Sequence, residues 1–401
     1  MTTRQRIAVI GAGPIGLEAA LFASRAGNDV NIYERGQVAE NLRRWGHVRL
    51  FSPFGLNVSP WGRRALAESS PAAHLPNDPA LHTGCEFVES YLLPLSRLPQ
   101  LAGRVHEGVD VCGISRTKTW KRELIGKPER GGDPFRLLLR DGTGERTAEA
   151  DVVFDCSGTY RHHNWIGAGG LPAIGETASL DDQDYELPDI LGRDRQRFLG
   201  RATLVIGSGY SAATAVVSLA KLAETDSATK VVWMTRRHRD EPIARVPDDP
   251  LHERDALALR ANRLAASGSD PVTWRPGCLI ESIERTRPQH GYRVIANDGT
   301  NIAVDRVIAN VGYRPDRRLY EELQVHECYA SQGPMKLAAT LLGETSADCL
   351  SQAGHGPHTL LNPEPGFFIL GAKSYGRDSR FLIKIGIEQI RDVFSLLSSM
   401  K

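Results

Sequence analysis

Gly11, Gly13 and Gly16 in the run GAGPIG, and Gly207 and Gly209 with Ala212 in the run GSGYSA, are the residues whose types and spacing point most directly to chemistry. Each run follows a short apolar stretch and opens an amphipathic one, so each reads as the turn between a strand and a helix. At such a turn the first glycine permits the tight bend, the second lets the backbone approach a pyrophosphate, and a small third residue lets the helix pack close to its strand. The helix N-terminus then offers unpaired N–H groups and a partial positive charge to the phosphates. The end of the following strand reads the rest of the ligand. After the first turn that position is Glu34, placed to accept hydrogen bonds from an adenosine ribose. After the second turn no acid follows, and Arg236 and Arg237 stand where guanidinium groups clamp a 2′-phosphate.

The elements that must position these turns occur twice. IAVIGAGPIGLEAALFASRAGNDVNIYERG is one βαβ unit, and ATLVIGSGYSAATAVVSLAKLAETDSATKVVWMTRRH repeats its plan almost 200 residues later. Between them residues 82–98 read as helical, and GVDVCGISRT, FRLLLRDGT and ADVVFDCSG as strands broken by the polar turn GKPERGGD. After the second unit, TWRPGCLIESIERT, YRVIANDGT and NIAVDRVIANVGYRPD repeat that strand and hairpin pattern. The tail adds a strand, GFFILGA, and an apolar-periodic helix, FLIKIGIEQIRDVFSLL, which would complete the first domain. The expected fold is α/β: two Rossmann-like dinucleotide-binding domains, the NAD(P)H domain (172–308) inserted in the FAD domain (1–171 and 309–401).

Composition suits such a protein. The chain has 401 residues, 41% of them hydrophobic, enough for separate cores. Lys+Arg 49 against Asp+Glu 48 leaves a formal charge of +1, without a global field for nucleic acid or an anionic membrane surface, so any phosphate must be held locally. No signal-peptide pattern opens the sequence, no apolar run reaches the roughly 18 residues of a spanning helix, and the six cysteines contain no CxxC. A cytoplasmic protein, acting on a small-molecule substrate and assembling as a homodimer, is expected.

Connectivity assigns the ligands. FAD is a tightly held group, and a domain built from both ends of the chain can enclose it, with Gly371 in the late FILGAKSYG run as a further FAD contact. NADPH comes and goes, so the inserted domain suits it. The rest of the flavin-side pocket has weaker candidates. Trp45, His47, Phe51 and Ser52, in the aromatic loop of residues 41–61, either face the flavin or pack a long crossover. His355 and His358 form an HxxH loop that lacks a third metal ligand, so no metal is expected and an acid–base role stays open. Lys373, Tyr375 and Arg377 lie just before the last helix, as flavin or substrate contacts or as a solvated turn.

In this order, GAGPIG, FDCSG, GSGYSA, ANVGYRPD and FFILGAKSYG, the chain resembles the two-dinucleotide-binding-domain flavoproteins, which include disulfide reductases and flavin-containing, Baeyer–Villiger and N-hydroxylating monooxygenases. It departs from parts of that superfamily. Ala372 stands where many members have an Asp. The Baeyer–Villiger fingerprint FxGxxxHxxxW fails: His162 fits, but Cys156 replaces the aromatic and Trp165 comes one place early. The chain also looks like reductases of the bacillithiol disulfide type, yet Ile15 replaces their cysteine in the first turn. The resemblance implies hydride transfer from NADPH to FAD. Monooxygenation of a small molecule through a flavin C4a-hydroperoxide is the favoured sequel. The alternatives are NADPH-dependent reduction of a disulfide, quinone or partner protein, and a nucleotide-binding redox sensor without turnover.

Overall fold

The computed structural model describes residues 4–69, 75–268, 270–286, 291–343 and 355–399. The chain divides into two compact units, one of Met1–His162 with Arg314–Lys401 and one of His163–Tyr313. The inserted unit thus starts before residue 172 and ends after residue 308, the boundaries read from sequence. Its neck accounts for the difference: His163 bridges Tyr313, and the Asn164 N–H donates to the Gly312 carbonyl at 2.9 Å. Gly167 and Ile174 then bridge Ile280 and Ser282, which holds residues 167–174 on this unit.

The first unit begins with β1 (Arg6–Ile10), α1 (Pro14–Arg25) and β2 (Asp29–Glu34). Ile7, Ala8, Val9 and Ile10 are all buried, as expected of a central parallel strand covered on both faces. Pro14 opens α1, where its missing N–H has no intrahelical partner to lose. β3 (Val105–Glu107) extends the sheet beside β2. β4 (Asp110–Arg116), β5 (Phe135–Asp141) and β6 (Gly144–Ala150) form an antiparallel sheet in which Phe135, Leu137 and Leu139 face inward and the residues between them are exposed. β7 (Val152–Asp155) then returns to pair with β1, Asp155 opposite Ile10.

The inserted unit repeats this plan with β8 (Ala202–Ile206), α2 (Tyr210–Ala223), β9 (Lys230–Thr235), α3 (His252–Ala266) and β10 (Val272–Pro276). An antiparallel sheet of β11 (Ile280–Thr286), β12 (Gly291–Ala296) and β13 (Asn301–Val304) follows. β14 (Arg306–Ala309) then returns to pair with β8, and the parallel order is β10-β9-β8-β14.

The chain then returns to the first unit. β15 (Phe367–Ile369) pairs with β7 and completes the parallel order β15-β7-β1-β2-β3. The last helix, α4 (Ile383–Ser399), packs against α1 and buries Ile390, Val393 and Leu397 in the core that holds Leu17 and Leu21. Glu364, just before β15, is fully buried between Arg116 and Arg130 at 2.7 and 2.9 Å, which ties the tail to the antiparallel sheet. Among the described residues no helix is long and apolar enough to cross a membrane. Cys349 lies outside them; the other five cysteines are free thiols.

Candidate functional site: two glycine-rich turns at the strand ends

In each unit the chain leaves the first strand between two parallel neighbours, one reached by the helix and the other by the returning strand. A crevice opens at such a switch point beyond the carboxyl ends of the strands. Gly11 occupies it in the first unit with φ +94°, and its N–H donates to the Tyr33 carbonyl at 2.8 Å. A Cβ on Gly11 would stand 2.9 Å from the Cys156 carbonyl oxygen, beyond the end of β7, and one on Gly16 would overlap the Gly11 carbonyl. Gly13 is different. A Cβ there would meet nothing within 4 Å, so the space above the second glycine is open.

That space faces the start of α1. Gly13 is its N-cap and gives no side-chain hydrogen bond, and no acid lies in the first turn. By contrast Thr83 and Glu86 complete a capping box on the short helix Gly84–Phe87. The first N–H groups of α1 therefore keep their capacity for an anion. Glu34 braces the turn: it accepts from the Ala12 N–H and the Gly36 N–H, each at 2.8 Å. Burial pushes its carboxyl up, opposed by those two amides.

The inserted unit builds the same cradle. Gly207 has φ +136°, its N–H donates to the Met234 carbonyl at 3.1 Å, and a Cβ would overlap the Asn310 carbonyl beyond β14. Gly209 again has nothing within 4 Å, caps α2 without a side-chain bond and precedes a first turn without acids. Ala212 is fully buried in the third place. Trp233 is buried below and donates its indole N–H to the Gly207 carbonyl at 2.8 Å. Beyond β9, Arg236 and Arg237 are exposed and make no hydrogen bond or ion pair among the described residues.

Lys373, a candidate from the sequence, lies in a polar cluster whose other members, Asp155 and Ser157, sequence reasoning missed. Lys373 is almost fully buried, and its Nζ donates to Asp155 at 2.6 Å and to Ser157 at 3.0 Å. It also stands 5.1 Å from the Tyr320 ring centroid. Asp155 in turn accepts from the Ser157 hydroxyl and N–H. The signal available in sequence was the position of Asp155, one residue before the carbonyl that meets Gly11. That carbonyl belongs to Cys156, whose thiol is pushed well above its ordinary range by burial and by the Asp155 carboxylate, against the pull of Lys373. Gly371, at φ +71°, donates its N–H to Gln389 of α4 and packs on Ile15.

The weaker candidates are placed variously. Trp45 is half-buried, stands 6.1 Å from the Tyr160 ring, and its indole N–H is buried without a partner among the described residues. His47 and Phe51 are half-buried, whereas the Ser52 hydroxyl is turned inward to Asn57 at 2.8 Å. His355 meets the Tyr375 hydroxyl at 3.2 Å, His358 is exposed, and Arg377 donates to Gln332. His162 pairs with Asp316 at 3.0 Å and, with Arg318, holds that carboxyl far below the usual carboxylate range.

Two parallel sheets, each with a glycine-rich turn over an uncapped helix start, decide the architecture. The chain has the fold of the two-dinucleotide-binding-domain flavoproteins. Residues 6–42, the first βαβ unit, match the family model of the pyridine nucleotide-disulphide oxidoreductases. Among solved structures of this fold, the bacillithiol disulfide reductase of Bacillus cereus superimposes with a TM-score of 0.71 at 16% identity over 100% of both chains. The ornithine N-hydroxylase of Kutzneria sp. 744, solved with reduced FAD, NADP+ and L-ornithine, gives 0.62 at 15% identity, covering 99% of this chain and 100% of its own. By sequence, flavin-containing monooxygenase FMO GS-OX-like 2 of Arabidopsis thaliana is 24% identical over 249 residues, 56% of this chain and 49% of the relative. The chain thus spans about half the length of the curated relative it matches. These flavoprotein neighbours include both monooxygenases and disulfide reductases.

Proposed function

We propose that the first unit holds FAD, that the inserted unit holds NADPH, and that the protein is a monooxygenase of a small molecule. One observation carries the cofactor reading: in both units the second glycine is open, and the helix start beneath it has neither a capping side chain nor an acid. A pyrophosphate fits such a place, because backbone N–H groups can approach it and no acid in the first turn of the helix repels it. FAD accepts a hydride from the nicotinamide and passes electrons onward when bound. The protein's own part is to hold the two rings and exclude water. Arg236 and Arg237, exposed and unengaged, favour NADPH over NADH.

Monooxygenation is favoured over disulfide reduction by the apolar character of the first turn. Ile15 replaces the cysteine of the bacillithiol disulfide type and is packed beneath Gly371 and α4. Cys156, the nearby thiol, is held protonated and is a poor nucleophile for disulfide exchange. The test is anaerobic reduction of the holoenzyme by NADPH followed by admission of oxygen. A transient near-ultraviolet absorbance before reoxidation is expected. Featureless reoxidation, with turnover of a disulfide or quinone, would instead make the protein a reductase. Absence of flavin bleaching by NADPH would leave a sensor without turnover.

A further inference from the structure

The insertion between β4 and β5, residues 117–133, is tied down by its backbone and apolar at its tip. Asp133 accepts from the N–H groups of Lys118 and Thr119 at 2.8 and 2.7 Å. Arg130, fully buried on Glu364, donates to the carbonyls of Trp120 and Glu123 at 2.8 and 3.1 Å. Gln324 donates to the carbonyls of Lys121 and Glu123 at 2.6 and 2.9 Å. None of these bonds engages the side chains of Trp120, Leu124 or Ile125, which are 69%, 43% and 71% exposed. Leu124 is moreover held at φ +49°, in the left-handed region that a branched side chain disfavours. A buried ion pair and a strained residue thus support three large apolar groups in water, where they gain nothing.

Cations surround the tip. Lys118, Arg122 and Lys127 are exposed and their side chains make no hydrogen bond or ion pair among the described residues. Of the acids in the stretch, Glu123 and Asp133 are held by backbone N–H groups and Glu129 is exposed, so residues 117–133 carry five cations against three acids. A Trp with branched aliphatics, ringed by free cations, is complementary to a bilayer surface: the apolar groups enter the headgroup boundary while the cations meet lipid phosphates. Neither signal holds a protein on a membrane well alone, and the loop carries both.

We propose that this loop is a peripheral contact for an anionic phospholipid surface. The test is cosedimentation of the FAD-loaded full chain with vesicles of phosphatidylcholine alone or of phosphatidylcholine with phosphatidylserine. Binding to the second kind only, weakened by salt, is expected. Trp120→Ser with Ile125→Ser should lower partitioning about tenfold or more, through lost apolar burial. Lys118→Glu or Lys127→Glu should each lower it about fivefold or more. Both kinds of variant keep the flavin and the melting temperature, since the altered side chains hold nothing in the fold. Equal retention by both vesicles, or by neither, overturns the proposal on the wild-type chain alone. So does a concentration-dependent dimer that disappears in the Trp120→Ser, Ile125→Ser variant without any vesicle binding, because the face would then belong to a second copy.

Discussion

The third residue of the first glycine-rich turn has no room for a methyl group, whereas the third residue of the second turn already carries one. A Cβ on Gly16 would overlap the Gly11 carbonyl, while Ala212 is accommodated 3.5 Å from where a Cβ on Gly207 would lie. Helix α1 is therefore pressed closer to its strand than α2 is. The first and second positions do not differ in this way. Gly11 and Gly207 both have positive φ and both abut a neighbouring carbonyl, and Gly13 and Gly209 are both open. Position one of both turns and position three of the first are thus constrained by the protein's own backbone, and position two only by what is bound there.

The largest expected effect separates these roles. Gly13→Leu puts a side chain into open space, so the fold should survive, with a melting temperature within a few degrees of wild type, while the purified protein is colourless. Gly209→Leu should stay yellow and lose reduction by NADPH at least a hundredfold. A yellow Gly13→Leu protein, or one that fails to fold, would break the assignment of position two to the ligand.

Next in size is the third position. Gly16→Ala must move α1 or the turn, and overpacking of this kind costs about 1–3 kcal/mol or more. Ala212→Gly loses only a methyl group and helix propensity, about 1 kcal/mol. Denaturant unfolding of the two variants should rank them in that order; equal losses would mean that the two helices sit alike.

A smaller effect, confined to the inserted unit, is expected at the strand ends. Glu34 braces its own turn, but Arg236 and Arg237 make no hydrogen bond or ion pair among the described residues. Arg236→Ala with Arg237→Ala should raise the KM for NADPH about tenfold or more, since a charge-assisted hydrogen bond is worth roughly 1.5–3 kcal/mol, and leave NADH nearly unchanged. Equal loss with both coenzymes would make the arginines general structure.

How much of this was legible in sequence follows from where each constraint comes from. The glycines could be read because tight turns and close approach are local demands, and Gly11, Gly13, Gly207 and Gly209 meet them within a few residues. The repeated strand and hairpin plan could be read for the same reason. The partner of Lys373 could not. Asp155 is 218 residues away and is brought to it by the pairing of β15 with β7. Ser52 was attractive by composition, yet its hydroxyl is bound by Asn57, a choice made by the loop's own turn. GKPERGGD reads as a polar turn, but Arg130 within it is buried by a carboxylate 234 residues on.

The smallest expected effect tests why α1 sits closer than α2. Two residues after Gly16, Glu18 is fully buried; its carboxylate accepts from the Ser59 N–H at 3.1 Å, the Ser59 hydroxyl at 2.6 Å and the Tyr91 hydroxyl at 2.5 Å. The corresponding residue two after Ala212 is Thr214, which bonds back to the Tyr210 carbonyl of its own helix. Burial raises the Glu18 carboxyl above its ordinary value, against the three hydrogen bonds. An acid raised in the folded state binds its proton more tightly there than in the unfolded chain. Its contribution to stability is then fully present below the unfolded value, near 4.5, and is lost as pH rises through the folded one. Glu18→Gln keeps the shape, retains the acceptor oxygen facing Ser59 N–H and Tyr91, and lets the amide donate to the Ser59 oxygen. It carries no charge to bury. The variant should therefore gain about 2–4 °C in Tm relative to wild type between pH 5 and pH 8, on the side of rising pH. Parallel Tm curves for the two proteins across that range would mean that Glu18 titrates alike in the folded and unfolded chains, and that its burial does not distinguish the first helix from the second.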